Sequence, residues 1–136
     1  MDRPLAVTGP SLVADWQRVT HRLLAALDDA LADLGLSAAE VNVLACFAGR
    51  EAVSVRELVA ATAQRPSTLT GVLDRLERRG LTERAPNPAD RRSVVVRLTP
   101  AGREHAARVA GAFAALEARL PAAEIRRLLG ALDEAV

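Results

Sequence analysis

The stretch PNPADRRSVVVRL, Pro86 to Leu98, sets two prolines, an Asp and two adjacent arginines directly before a run rich in β-branched residues. Such a run is stiff at χ1 and packs best on a pleated surface, so it reads as a strand. The preceding LTERA, Leu81 to Ala85, has strand composition as well. The two together predict a β-hairpin whose tip, PNPADRR, is basic.

On both sides of the hairpin the apolar spacing changes to three and four, the period of helices. Immediately before it, RPSTLTGVLDRLERRG (Arg65–Gly80) has Pro66 at a first helical position and Gly80 just past the end, which brackets a helix of about four turns. Leu69, Val72, Leu73 and Leu76 share one face. Ser67, Thr70, Gly71, Asp74 and Arg78 fall on the opposite one, with Thr68 and Arg75 at its borders. Upstream, VSVRELVAAT predicts a short helix capped by Ser54 with Glu57 three places on, after a β-prone AVSV. LSAAEVNVLACF repeats the device with Ser37 and Glu40 and predicts a helix to about Ala48. Leu12, Trp16, Val19, Leu23, Leu27, Leu31 and Leu34 predict a first helix from about Ser11 to Leu34, ended by Gly35. Beyond the hairpin, Thr99 and Pro100 open a long helix to about Leu120, and Pro121 restarts a final short one.

A chain of 136 residues is sized for one domain with a real core. No segment approaches the roughly 18 uninterrupted apolar residues of a spanning helix, and MDRPLAVTGP lacks the basic-then-apolar layout of a secretory signal. The expectation is a cytoplasmic protein with no membrane partner. One Cys and two His cannot complete a four-ligand zinc site, and Cys46, on an apolar helix, reads as an inert core thiol. His21 and His105 read as ordinary surface or core histidines, so neither a metal nor another cofactor is expected. Net charge is only +1, but its distribution is uneven. Residues 1–49 hold three Arg and six acids, residues 50–108 twelve Arg and seven acids, and residues 109–136 three Arg and four acids. The basic excess therefore lies on the hairpin and the helices around it, where a polyanion would be met.

Two short helices followed by a hairpin form a winged helix-turn-helix, mainly α with a small β-hairpin (α+β). In that arrangement the second short helix enters the DNA major groove, and the hairpin tip reaches the flanking backbone or minor groove. The segments STLTGVLDRLERRGLTER and DRRSVVVRLTPAGRE then carry a specific resemblance. From about Ser37 to Ala107 the chain resembles the MarR family of bacterial transcriptional regulators. The resemblance implies a single domain over residues 1–136: a winged lobe over about 37–98, with helices at about 11–34 and 100–136 interleaved as a homodimer interface. It also implies a repressor on a roughly palindromic operator of double-stranded DNA, released by a small-molecule effector.

The residues expected to touch DNA are Arg65 at the start of the recognition helix, Ser67, Thr68 and Thr70 through hydroxyls, and Arg75 and Arg78 on the same helix. Arg91 and Arg92 are expected at the tip, with Arg91, directly after Asp90, the first choice. Two positions depart from the family pattern. Gly71 supplies no side chain on the outer face, and Arg65 stands where a short capping residue is common, leaving the helix N-terminus for a phosphate. Trp16 and His21 are the candidates for an effector pocket that takes a small aromatic ligand. No nucleophile elbow, phosphate loop, HExxH or dinucleotide fingerprint occurs, so the chain is not expected to be an enzyme. The rival reading is a winged-helix interaction module or anti-repressor without DNA binding, but such a module has no need of Arg on both helix and wing.

Overall fold

The computed structural model describes residues 11–136, and the N-terminal ten residues weighed above for a secretory signal lie outside that range. α1 runs Leu12–Ala30 with Ser11 as its N-cap, the Ser11 hydroxyl accepting from the Ala14 N–H at 3.1 Å. The expected single helix to Leu34 is broken at Leu31, and a 3-10 turn over Ala32–Leu34 follows. Leu31 is buried, so the tightened turn delivers it into the core.

Both capping boxes form. In α2 (Ala38–Ala45) Ser37 and Glu40 exchange backbone and side-chain bonds at 3.2 Å each. In α3 (Val55–Thr62) Ser54 and Glu57 do the same at 3.0 and 2.8 Å. α2 stops three residues short of the expected Ala48. Phe47 dives into the core, and the chain reverses through left-handed Ala48 and Gly49. That reversal sets β1 (Ala52–Ser54) beside the hairpin, which consists of β2 (Thr82–Asn87) and β3 (Asp90–Leu98). The sheet is antiparallel with order β1-β3-β2, so the short strand expected at AVSV pairs with β3 of the hairpin.

α4 (Pro66–Arg78) begins on its proline and buries Leu69, Val72, Leu73 and Leu76. It ends in a Schellman motif: Gly80 at φ 71° turns the chain, its N–H donates to Glu77 O at 2.9 Å, and the Leu81 N–H donates to Leu76 O at 3.0 Å. After β3, α5 (Pro100–Glu117) is capped by Thr99, whose hydroxyl also donates to Gly80 O at 2.6 Å while its N–H donates to Leu81 O at 3.0 Å. Gly102 lies against the Leu81 carbonyl so closely that a Cβ there would overlap it. The core gathers Val43, Leu44, Phe47, Leu58 and Val96 around the α4 stripe and draws in Val109 from α5. α6 (Ala122–Ala135) buries no residue; its Leu128, Leu129 and Leu132 are exposed, as are Leu12, Val13, Trp16 and Val19 on α1.

Candidate nucleic-acid interface

α3 and α4 are joined by the three-residue turn Ala63–Gln64–Arg65, forming the helix-turn-helix. Ser67, Thr68, Thr70 and Arg78 are exposed on α4, opposite its buried stripe. Arg65 is the N-cap in extended conformation and supplies no side-chain cap, which leaves the first amides of α4 open. The Thr70 hydroxyl donates to Pro66 O at 2.9 Å, so its hydrogen is committed to the helix and its lone pairs face outward.

The tip is more ordered than a loop. The strands run on to Asn87 and Asp90, and Arg91 and Arg92, expected within a turn, belong to β3. The pairing passes from Pro86↔Val94 to Asn87↔Asp90, which leaves Arg91, Arg92 and Ser93 as a bulge on β3. Short side chains lock this shape. Asn87 accepts from the Ala89 N–H at 3.0 Å and donates to Ser93 Oγ at 2.9 Å, and Asp90 accepts from the Arg92 N–H at 3.0 Å. A bulge re-aims side chains out of the ladder, and here both guanidiniums are exposed. Thr70 of α4 and Arg92 of the wing line one open groove of about 450 Å³ with Arg56 of α3, a residue that no sequence motif singled out.

Not every arginine is available. Arg84 is held by Glu77 at 2.7 Å and by Asp74, fastening the base of the wing to α4. Hydrogen bonding to Glu77 and Asp74 pushes the Arg84 guanidinium further up, while the bond from Arg84 holds the Glu77 carboxyl below its usual range. Arg75 lies 3.9 Å from the buried Glu40, and Arg79 lies 3.7 Å from the same carboxylate while donating to Leu34 O and Gly35 O at 2.6 and 2.9 Å. Arg75 is therefore partly compensated. By contrast, among the described residues Arg56, Arg65, Arg78, Arg91 and Arg92 form no ion pair.

Behind the lobe, a crevice of about 410 Å³ opens between α1, α2 and α5, lined by Leu23, Leu27, Val41 and Phe113. Neither Trp16 nor His21 lines it. His21 sits about 200° around α1 from Leu23, beside Gln17 and Arg18 on a solvent-facing depression, and Trp16 is exposed roughly two turns before Leu23. The Cys46 thiol donates to Asn42 O at 3.2 Å, and burial raises its pKa, which disfavours the reactive thiolate.

A helix-turn-helix with a basic outer face, flanked by an ordered basic hairpin, defines a winged helix-turn-helix protein. The MarR family model matches residues 36–94. The regulator PecS of Dickeya dadantii is 39% identical over 105 residues, covering 74% of this chain and 63% of PecS, so the match spans less than two thirds of that relative. Bordetella bronchiseptica BpsR, described for regulation of its DNA binding by 6-hydroxynicotinic acid, superposes with a TM-score of 0.73 at 29% identity, covering 94% of each chain. A mutant Escherichia coli MarR complexed with operator DNA superposes at 0.71 and 28% identity, covering 92% of this chain and 93% of that one. Over residues 36–94 the chain is similar to the MarR family, and its fold is that of MarR-family winged helix-turn-helix structures.

Proposed function

We propose that this chain is a homodimeric repressor that binds a roughly palindromic DNA operator and is released by a small molecule in the crevice behind α2. The observation that carries the reading is the common groove of Thr70, Arg56 and Arg92, which joins the outer face of α4 to the wing and holds two uncompensated guanidiniums. In this reading α4 enters the major groove, with Ser67, Thr68, Thr70, Arg75 and Arg78 over bases and phosphates, and the open amides after Arg65 meet a phosphate. Arg91 and Arg92 reach the flanking backbone or minor groove. The operator complex of MarR and the ligand regulation of BpsR support the same roles here.

The unpartnered leucines of α6 and the apolar stripe at the start of α1 support the dimer: α1, α5 and α6 would close on a second copy, around the axis that relates the two lobes. The site of action is then the cytoplasm. Selection of bound duplexes from a random library, with sedimentation of the same sample, tests the whole. The expected result is a two-fold sequence with half-sites about one turn, roughly 34 Å, apart, bound by a dimer. A stable monomer, or a pool without enrichment, would favour the interaction-module alternative.

A further inference from the structure

The crevice carries polar groups from Asp28, Asn42 and Gln64, and among the described residues no Arg or His lines it. Gln64 Oε1 is buried and has no hydrogen-bond partner among the described residues. Buried side-chain acceptors are mostly paired, so an orphan on a cavity wall marks where a ligand atom belongs. Gln64 also occupies the turn between α3 and α4. It follows Ala63, which is held in the left-handed region at φ 53°, and stands two residues before Pro66 opens α4.

We infer that the crevice takes a neutral, mostly apolar ligand carrying one hydrogen-bond donor, such as a phenol or a ring N–H. Gln64 Oε1 receives that donor, so the ligand binds directly to the turn that carries the recognition helix. The inference rests on the ligand-released reading above. A carboxylate entering the same space would shed its water, meet no cation among the described residues and face Asp28, which is a net cost. The first turn of α2, which also borders the wall, is already answered by the Ser37 hydroxyl and the Glu40 carboxylate. A hydrophobic ring against Leu23, Leu27 and Phe113 with its donor on Gln64 satisfies the buried acceptor that the crevice wall leaves unpaired. It also explains how occupancy reaches DNA: pulling on Gln64 shifts the N-terminus of α4 without passing through the rest of the lobe.

Titration calorimetry of the full chain with three probes of one shape tests this: 4-ethylphenol, 4-ethylanisole and 4-ethylbenzoate. The phenol should bind at least about tenfold more tightly than the anisole, which cannot donate, or the benzoate, which is charged. Gln64→Met, similar in shape, should lower phenol affinity by about tenfold and leave the anisole unaffected. An anisole affinity equal in wild type and Gln64→Met shows that the variant is folded, and the ranking of the three probes on wild type stands without any variant. Benzoate binding most tightly, or a phenol indifferent to Gln64→Met, overturns the inference. Anisotropy on a selected duplex separates the two levels. Protein that enriches no duplex yet binds the phenol through Gln64 sinks the repressor reading alone; protein that binds DNA but prefers benzoate sinks only the ligand class.

Discussion

Replacing both Arg91 and Arg92 by Ala isolates the wing, because neither guanidinium takes part in holding the tip. The bulge is kept by Asn87, Ser93 and the Asp90 carboxylate, and the bond to Asp90 comes from the Arg92 backbone N–H, which alanine retains. Each phosphate neutralised by a protein cation contributes about 0.9 to the slope of log affinity against log salt. One contact per wing in a dimer makes the loss about 1.8 units, and two contacts make it about 3.6. Between about 50 and about 200 mM salt, the variant's affinity should therefore fall by about 12-fold to 150-fold less than that of wild type. The variant should bind far more weakly at low salt and approach wild type at high salt, on operator and scrambled duplex alike. Its melting temperature should be unchanged, since exposed tip residues hold little of the core. Fluorescence anisotropy over a salt series reads all of this. Equal affinity and equal slope for variant and wild type on both duplexes would refute the wing.

Two glycines predict opposite outcomes in thermal melts. Gly102→Ala drives a Cβ into the Leu81 carbonyl and should cost about 3 kcal/mol, whereas Gly71→Ala meets only Arg75 Nη1 at 3.7 Å and should gain about 0.5–1 kcal/mol of helix propensity. Arg79→Ala strips two carbonyls of a donor and weakens the pairing of buried Glu40, a loss of about 2 kcal/mol in urea titration; adding Glu40→Gln should return part of it. Glu77 is held below the usual carboxyl range by its bonds from Arg84, so its contribution is present at neutral pH and is lost as pH falls through that depressed value. Wild type should therefore be more stable than Glu77→Gln at pH 7 and converge with it in acid; a gap that persists at low pH would exclude the ion pair as its cause.

Legibility from sequence tracked the range of each interaction. The boxes Ser37–Glu40 and Ser54–Glu57 and the bracketing of α4 by Pro66 and Gly80 involve neighbours at most five places apart, and each formed where the spacing predicted. The tip escaped because its shape depends on which short side chains find each other across the hairpin. PNPADRR has loop composition, yet the Asn87–Ser93 and Asp90 bonds carry the strands to within two residues of each other. Arg75 reads on a helical wheel as an outer-face residue, but its partner Glu40 is 35 positions away, and Arg79 reaches carbonyls 44 and 45 positions away. The period of α1 identifies an apolar stripe but not which part of it borders a crevice, so Trp16 and His21, candidates by their chemistry, stand away from the wall that Leu23 and Leu27 form. Gln64 carries no pattern at all; only a folded turn reveals its stranded oxygen.

The joint at Thr99 bears on how this protein can be divided. The change from strand to helix after Leu98 looks like a seam, but Thr99 ties the Gly80 and Leu81 carbonyls, Gly102 is fitted against Leu81, and Val109 fills the core two turns later. A fragment cut at Leu98 would carry bare carbonyls and a hole where Val109 had been. Any piece meant to fold alone must therefore run at least through Val109, and a protease seeking a soft boundary should find none there. Since Thr99, Gly102 and Val109 fasten the start of α5 to the lobe, the spacing of the two lobes in the proposed dimer would be adjusted beyond Val109 rather than at this joint.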